Sequence, residues 1–427
     1  MQTPKIPFWI AVVININIVI GSAFFLGAPR IAALGGMLAP LAWLLCGLLL
    51  LPLVLVLASL AREYPTAGGI YIYSKERLGD VWGFLSGWGY FIGTVAGNAA
   101  VIHAFSHQLH ESANIAAWLS AWNISDTWVD ALLVILFSLF NLLNVTFFER
   151  LQIAFTVIKS IPFVLLLIAA PLACSVPVVG EISYDISGLF SSIPFVLFAY
   201  IGIEACCAII DQIKGGYRAG SRAILTSFFI IVSVYTLFQG ILVCSGDSSV
   251  GAFFNILPRL TSNPYLIVWG NNIVFCAILT SFLAGFYGMF YYNNWNLYAM
   301  AQERSLPGSS YMSIKNLHGV PWVCVLIQSL LVMAAVLVLR TSHALVVVGD
   351  FGVLLAYALC VLSALRLRLS FISLSALVSC GILIYICAQG LWQDGLQAYA
   401  PFIAVMVVGI LLYVIAQLFN LRRSPSR

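Results

Sequence analysis

Asn15-Ile16-Asn17-Ile18-Val19-Ile20-Gly21-Ser22-Ala23-Phe24-Phe25 lies in the middle of an apolar run that extends from about residue 9 to residue 33. A run of that length can cross a bilayer. Two asparagines and a Gly-Ser pair at its centre suggest that the helix breaks there. Glycine lowers the cost of leaving the helix, and backbone groups freed at that depth must line a cavity or find partners in the protein. Five runs further on, Phe198-Ala199-Tyr200-Ile201-Gly202-Ile203-Glu204-Ala205-Cys206 again places a glycine in mid-run, now with a carboxylate. Matched interruptions in the two halves of a chain point to inverted repeats with a binding site at the membrane midplane. Either glycine alone would be read as a close helix contact. The matched positions, together with Glu204, favour a site.

The rest of the chain fits this reading. Hydrophobic residues make up 62% of the 427 and charged residues 8%. Mean hydropathy is +1.04. So few charges cannot solvate a soluble protein of this size, so lipid is the expected solvent. The apolar runs predict about twelve spans, near 9–33, 38–61, 81–109, 127–148, 152–173, 189–210, 223–245, 267–300, 320–339, 344–365, 371–391 and 399–420. With the N-terminus cytoplasmic, Lys5, Arg62, Lys75, Arg77, Arg150, Lys214, Arg218, Arg222, Arg304, Lys315, Arg366, Arg368, Arg422, Arg423 and Arg427 sort to the cytoplasmic side. Only Arg30, Arg259 and Arg340 sort outside, and Lys159 stays within a span. That asymmetry sets the orientation, with both termini cytoplasmic. The net charge of +4 is a topology signal, and no nucleic-acid partner is expected. The first run lacks a small-residue cleavage site and reads as a retained span.

No linker or soluble domain interrupts the sequence, so residues 1–427 read as a single all-α membrane transport domain. The cysteines are scattered, and Cys46, Cys206, Cys207, Cys276 and Cys360 fall in apolar runs as small buried hydrophobes. His103, His107 and His110 share a helix face at the outer end of the third span, where a wet interface explains them better than a metal. No metal or cofactor is expected.

Four short motifs, in order and on the right spans, resemble the amino acid–polyamine–organocation superfamily over about the first 310 residues. Gly21-Ser22-Ala23-Phe24 is similar to its Gly-Ser-Gly-(Ile/Val)-Phe. Arg62-Glu63-Tyr64-Pro65-Thr66-Ala67-Gly68-Gly69-Ile70-Tyr71-Ile72-Tyr73, followed by Trp82-Gly83-Phe84-Leu85, resembles its Pro-x-Ala-Gly-Gly loop. Phe198 to Glu204 is similar to its aromatic-x-(Phe/Tyr)-x-Gly-x-Glu, and Ala301-Gln302-Glu303-Arg304-Ser305-Leu306-Pro307 to the segment after its eighth span. The bacterial arginine–agmatine and putrescine–ornithine exchangers are the most similar branch. The resemblance implies a LeuT-like fold of two inverted five-helix repeats with broken helices one and six, plus two C-terminal helices. The first repeat and the start of the second fall within about 9–210, the second within about 189–365, and the extra spans within about 371–420.

The same resemblance implies a site at the two breaks. A substrate carboxylate would meet the Ser22 hydroxyl and the Ala23 amide beside Gly21, where a helix begins with unpaired N–H groups. Its ammonium would meet carbonyls near Val19, Ile20, Phe198, Ala199 and Ile201, beside Gly202. Phe198 matches an aromatic gate, Asn98 a position near the substrate, and Met289 a tryptophan that shapes the arginine site. Ala23 replaces a glycine, and Gly215-Gly216-Tyr217-Arg218 replaces Asn-Pro-x-Arg, so arginine is not the expected cargo. Lys159 corresponds to a lysine that takes the place of sodium in many relatives. We expect it to brace span one against span eight and to be able to release a proton. Glu204 is expected to act in gating more than in substrate contact. Asp350 falls in the tenth span, towards the outer mouth. Part of the cluster Tyr291-Tyr292-Asn293-Asn294-Trp295 is expected to face the cavity.

The function these features predict is alternating-access transport of an amino acid or amino-acid-derived amine across an inner membrane, by exchange. Proton-coupled symport is the alternative within transport. An amino-acid sensor that moves nothing is a remote reading, and no nucleophile–base pair or metal set suggests an enzyme. The expected partners are the small-molecule substrate, protons, the lipid bilayer and a second copy of the chain in a homodimer.

Overall fold

A computed structural model describes residues 5–66, 68–173, 184–244, 257–339, 342–392 and 399–423. Ala67, Arg340 and Arg427 lie outside the described residues, as do the side chains of Ser22, Arg259, Arg422 and Arg423. The elements are α1 (Phe8–Val19), α2 (Ser22–Gly35), α3 (Ala39–Glu63), α4 (Gly69–Leu78), α5 (Asp80–Glu111), α6 (Ala113–Ala121), α7 (Asp126–Asn141), α8 (Val145–Ala173), α9 (Ile186–Tyr200), the 3₁₀ turn η1 (Ala205–Gln212), α10 (Gly216–Cys244), α11 (Leu257–Leu260), α12 (Pro264–Gln302), α13 (Ser309–Met312), α14 (Trp322–Leu339), α15 (Ser342–Leu367), α16 (Phe371–Trp392) and α17 (Ala400–Arg423). Among the described residues there is no β-strand, only two isolated bridges. The chain is an all-α, multi-pass membrane protein.

Among the described residues, nine helical stretches are long and apolar enough to cross a bilayer by themselves, and eleven if the bent pairs α1/α2 and α6/α7 each count once. The third predicted span, α5, is not among these. Its glycines and polar residues lower its hydropathy, yet 32 residues reach about 48 Å. It lies in the interior, where it needs no lipid-facing surface, packed against α15, α4 and α12. The fourth span is shorter than expected. It runs from Asp126 to Asn141, after which the chain turns before α8 starts at Val145.

Burial divides the helices into an inner and an outer set. Inside the protein lie 78% of the most apolar window of residues 186–212 and 72% of that of 344–367, against 17% for 400–420 and 22% for 145–168. Large exposed side chains such as Val157, Ile168, Phe229, Leu237, Val407 and Leu411 give the outer set its apolar coat, as lipid requires.

Contacts at one end of the bundle test the parity of the span count. Ile6 pairs with Ile213, Lys75 forms an ion pair with Glu303, and Arg366 donates to the Arg77 carbonyl. Asn316 donates to the Leu142 carbonyl and Asn420 to that of Arg304. Every one of these segments was assigned to the same side by its basic residues, and both ends of the described chain lie there. The Gly68-Gly69 pair makes this end compact. Gly68 has φ +96°, and a Cβ there would stand 2.2 Å from Ala299 Cβ; one on Gly69 would stand 2.8 Å from the Cys207 backbone.

Candidate functional site

Both interrupted spans are broken in the structure. α1 ends at Val19, and the chain bends by 44° into α2. The residue before α2, Gly21, has no side chain to cap it, so the first N–H groups of α2, at Ser22 and Ala23, have no intrahelical acceptor. The dipole of α2 adds positive potential at the same point. In the second break α9 ends at Tyr200. Ile201 is extended, and Gly202 takes φ +107°, a conformation that strains any side chain. A Cβ on Gly202 would also lie 2.9 Å from Ile18 Cγ2 and 3.1 Å from Met289 Sδ. The position therefore requires glycine on two grounds.

Side chains from other helices hold the freed carbonyls. Tyr235 of α10 donates to the Val19 carbonyl at 2.8 Å and to the Ala199 carbonyl at 3.1 Å, so one hydroxyl links the two breaks. Lys159 of α8 is 3% exposed and donates to the carbonyls of Asn17 and Ile20, at 2.7 and 2.6 Å. Asn15 donates to the Ile203 carbonyl and to Ser227. Four of the five carbonyls suggested for the substrate ammonium thus already have partners in the protein, since that of Phe198 accepts from Ile201 N. The Ile201 carbonyl has no recorded donor among the described residues.

Between the breaks lies a cavity of about 60 Å³. Its walls are Ile18, Val19, Gly21 and Ala23 from the first break, Phe198 and Ile201 from the second, Gly93, Thr94, Gly97, Asn98 and Val101 from α5, Gly285 and Met289 from α12, and Gly349 from α15. Seven of the residues suggested by the sequence line it: Val19, Gly21, Ala23, Asn98, Phe198, Ile201 and Met289. Ile20, Ala199 and Gly202 flank it without lining it. Among the described residues no charged side chain lines it. Thr94 Oγ1 donates to the Tyr90 carbonyl, whereas the buried Asn98 Nδ2 has no partner among the described residues. A buried donor without an acceptor is costly, so Asn98 has a place to offer an incoming oxygen.

Several predicted groups lie elsewhere. Glu204 Oε2 accepts from Tyr357 of α15 and from Gly202 N, so it fastens the second break to α15 and faces away from the cavity. The bonds of Lys159 all run to span one. The link to span eight comes from Gln152, one heptad before it on α8, which bonds Asn17 and donates to the Ala284 carbonyl of α12. None of the residues Tyr291 to Trp295 lines the cavity. Asn293 and Asn296 instead donate to the Phe91 and Gly87 carbonyls, pinning α12 to α5, and Tyr291 stacks on Phe148 at 4.1 Å. Asp350 lines a separate cavity with Ser187, Phe195 and Tyr385, and its Oδ1 has no partner among the described residues. The three histidines each meet a carboxylate: His103 with Asp130, His107 with Glu111 and His110 with Asp126.

Sequence reasoning missed Tyr235, Gln152 and the glycine wall. Gly89, Gly93 and Gly97 recur at every fourth residue, which was a readable signal of close helix approach. A Cβ on Gly93 would lie 2.9 Å from the Gly349 carbonyl, and one on Gly352 2.5 Å from that of Gly89. α5 and α15 therefore touch backbone to backbone beside the cavity.

The profile of the family described as "Amino acid permease" matches residues 11–415. The chain belongs to the amino acid permease family. It is thus a transporter of the amino acid–polyamine–organocation superfamily and not an enzyme, and its substrate is a small-molecule amino acid. An uncharacterized transporter of Mycobacterium tuberculosis is 25% identical over 97% of the permease and 92% of its own length. The serine/threonine exchanger SteT of Bacillus subtilis is 23% identical, covering 77% and 75%. The L-asparagine permease of Escherichia coli is 25% identical, covering 82% and 72%.

Proposed function

We propose that this permease carries a small neutral α-amino acid across an inner membrane by alternating access, exchanging it for another amino acid. The observation that carries the reading is the cavity between the two breaks, with positive helix-start amides on one side, a free carbonyl on the other and no charged side chain in its wall. A substrate carboxylate fits the amides of Ser22 and Ala23, and its ammonium fits the Ile201 carbonyl. The cavity holds roughly four to six water-sized groups, so a compact cargo of six to eight non-hydrogen atoms such as alanine, serine or threonine overfills it far less than arginine or a polyamine would. A second cationic group would need an acidic partner, and the cavity wall offers none. The serine/threonine exchanger among the relatives supports both the cargo class and the exchange mode, whereas the branch of arginine–agmatine exchangers draws its support from the sequence motifs alone. Five-plus-five inverted repeats and cytoplasmic termini complete the proposal. The matched breaks support the repeats, and the basic residues gathered at one end support the orientation.

The test is counterflow in proteoliposomes. Labelled serine should enter vesicles loaded with unlabelled serine and should stay outside empty ones, even with an inward proton gradient. Uptake into empty vesicles that follows the proton gradient would establish the second reading, proton-coupled symport, which the burial of Lys159 favours.

A further inference from the structure

The feet of α3 and α10 meet at the basic end of the bundle, and a cavity of about 300 Å³ opens between them, lined by Arg62, Tyr217, Arg218 and Arg222. The transport reading uses none of these residues. Arg62 closes the last turn of α3, and Arg218 and Arg222 stand one turn apart on α10. Between them Ser221 donates to the Ala58 carbonyl at 2.9 Å, which staples the two helices together and fixes the mouth of the cavity.

Three guanidinium groups around one cavity repel one another unless an anion joins them. Among the described residues no carboxylate comes within ion-pair distance of Arg62, Arg218 or Arg222. Glu63, next to Arg62 in the chain, pairs with Arg77 instead. The nearest cation contact in the cavity is that of Arg218 with the Tyr217 ring, at 5.7 Å.

The course of α10 indicates which anion belongs here. The helix face that carries Arg218 and Arg222 continues as Phe229, Ile230 and Leu237, which are large, apolar and exposed. Phe229 is two turns above Arg222, or about 10 Å along the axis. The arginines therefore stand at the foot of an exposed apolar surface, beside the half-exposed Tyr217, a ring of the type that favours membrane interfaces. A soluble anion would have no use for that apolar continuation, whereas an acyl chain would lie along it.

We propose that Arg62, Arg218 and Arg222 form a binding site for the headgroup of an anionic phospholipid, whose chains follow α10 past Phe229. Arginine suits the task because its planar fork can bond two phosphate oxygens at once. A lipid held there ties α3 to α10, the helix whose Tyr235 holds both broken spans.

The test uses the full-length chain in detergent, with phosphatidylglycerol, phosphatidylcholine or soluble glycerol 3-phosphate added. Wild type is compared with Arg62→Gln/Arg218→Gln/Arg222→Gln and with Arg150→Gln/Arg304→Gln/Arg368→Gln, which removes equal charge elsewhere on the same end. Phosphatidylglycerol should raise the Tm of wild type and of the control variant. The triple variant at the cavity should need at least about tenfold more lipid for the same shift. Native mass spectrometry of wild type should show phosphatidylglycerol retained in preference to phosphatidylcholine, a readout that needs no variant to fold. Equal retention of the two lipids would overturn the proposal. So would an unchanged lipid response in the cavity variant, and so would an equal shift from glycerol 3-phosphate, which would assign the site to free phosphates.

Discussion

Gly97→Ala probes the cavity most cleanly. A Cβ at Gly97 meets nothing within 4 Å, although the residue lines the cavity wall. The added methyl therefore enters the space assigned to the substrate without pushing on protein atoms. Alanine also favours the interior of α5 over glycine by about 1 kcal/mol, so the variant should be no less stable than wild type. One methyl removes about one of roughly four to six water-sized positions. A solute that fills the cavity must shift or strain, at about 1–3 kcal/mol. That corresponds to a rise in KM of roughly 5- to 150-fold for serine or threonine. Glycine, which lacks a side chain, should be affected by less than about threefold, because the lost position is one it does not fill. Counterflow of labelled glycine, serine and threonine in proteoliposomes measures the three ratios, with Tm as the folding control. Equal KM values in wild type and variant for all three would refute the placement of the substrate in this cavity.

Other perturbations test the supports of the site. Lys159→Met removes the two bonds that hold the first break. Counterflow should fall at least tenfold, and an unchanged rate with an unchanged pH profile would exclude the lysine from both bracing and coupling. Tyr235→Phe deletes the single hydroxyl that joins the breaks, at a cost of about 1–3 kcal/mol, and should lower both Tm and turnover. Glu204→Gln keeps an acceptor for Tyr357, so serine affinity should stay within about twofold while turnover falls; a large loss of affinity would place Glu204 in the substrate shell after all. Asn98→Ala removes the unpaired Nδ2 and should raise the KM for serine by about three- to tenfold, read in the same counterflow assay.

What the sequence determined by itself follows from the bilayer as solvent. Each residue in lipid carries a cost that sums along a short stretch, so the all-α, multi-pass class and the two breaks are legible locally. Gly21 and Gly202 stand out because their neighbours are uniformly apolar. Even α5, too polar for a simple hydropathy test, was found from its place in the series. Partners were a different matter. Tyr235 is one aromatic residue among many in α10 until two breaks from opposite halves of the chain are brought under its hydroxyl. Gln152 gains its role only because Asn17 and Ala284 lie on either side of it. Asn293 looked equally suited to face the cavity, yet the rotation of α12 turned it onto the α5 backbone and left Gly285 and Met289 at the wall. Which face of a buried helix meets which neighbour depends on how every helix packs at once, and no local run of residues encodes that.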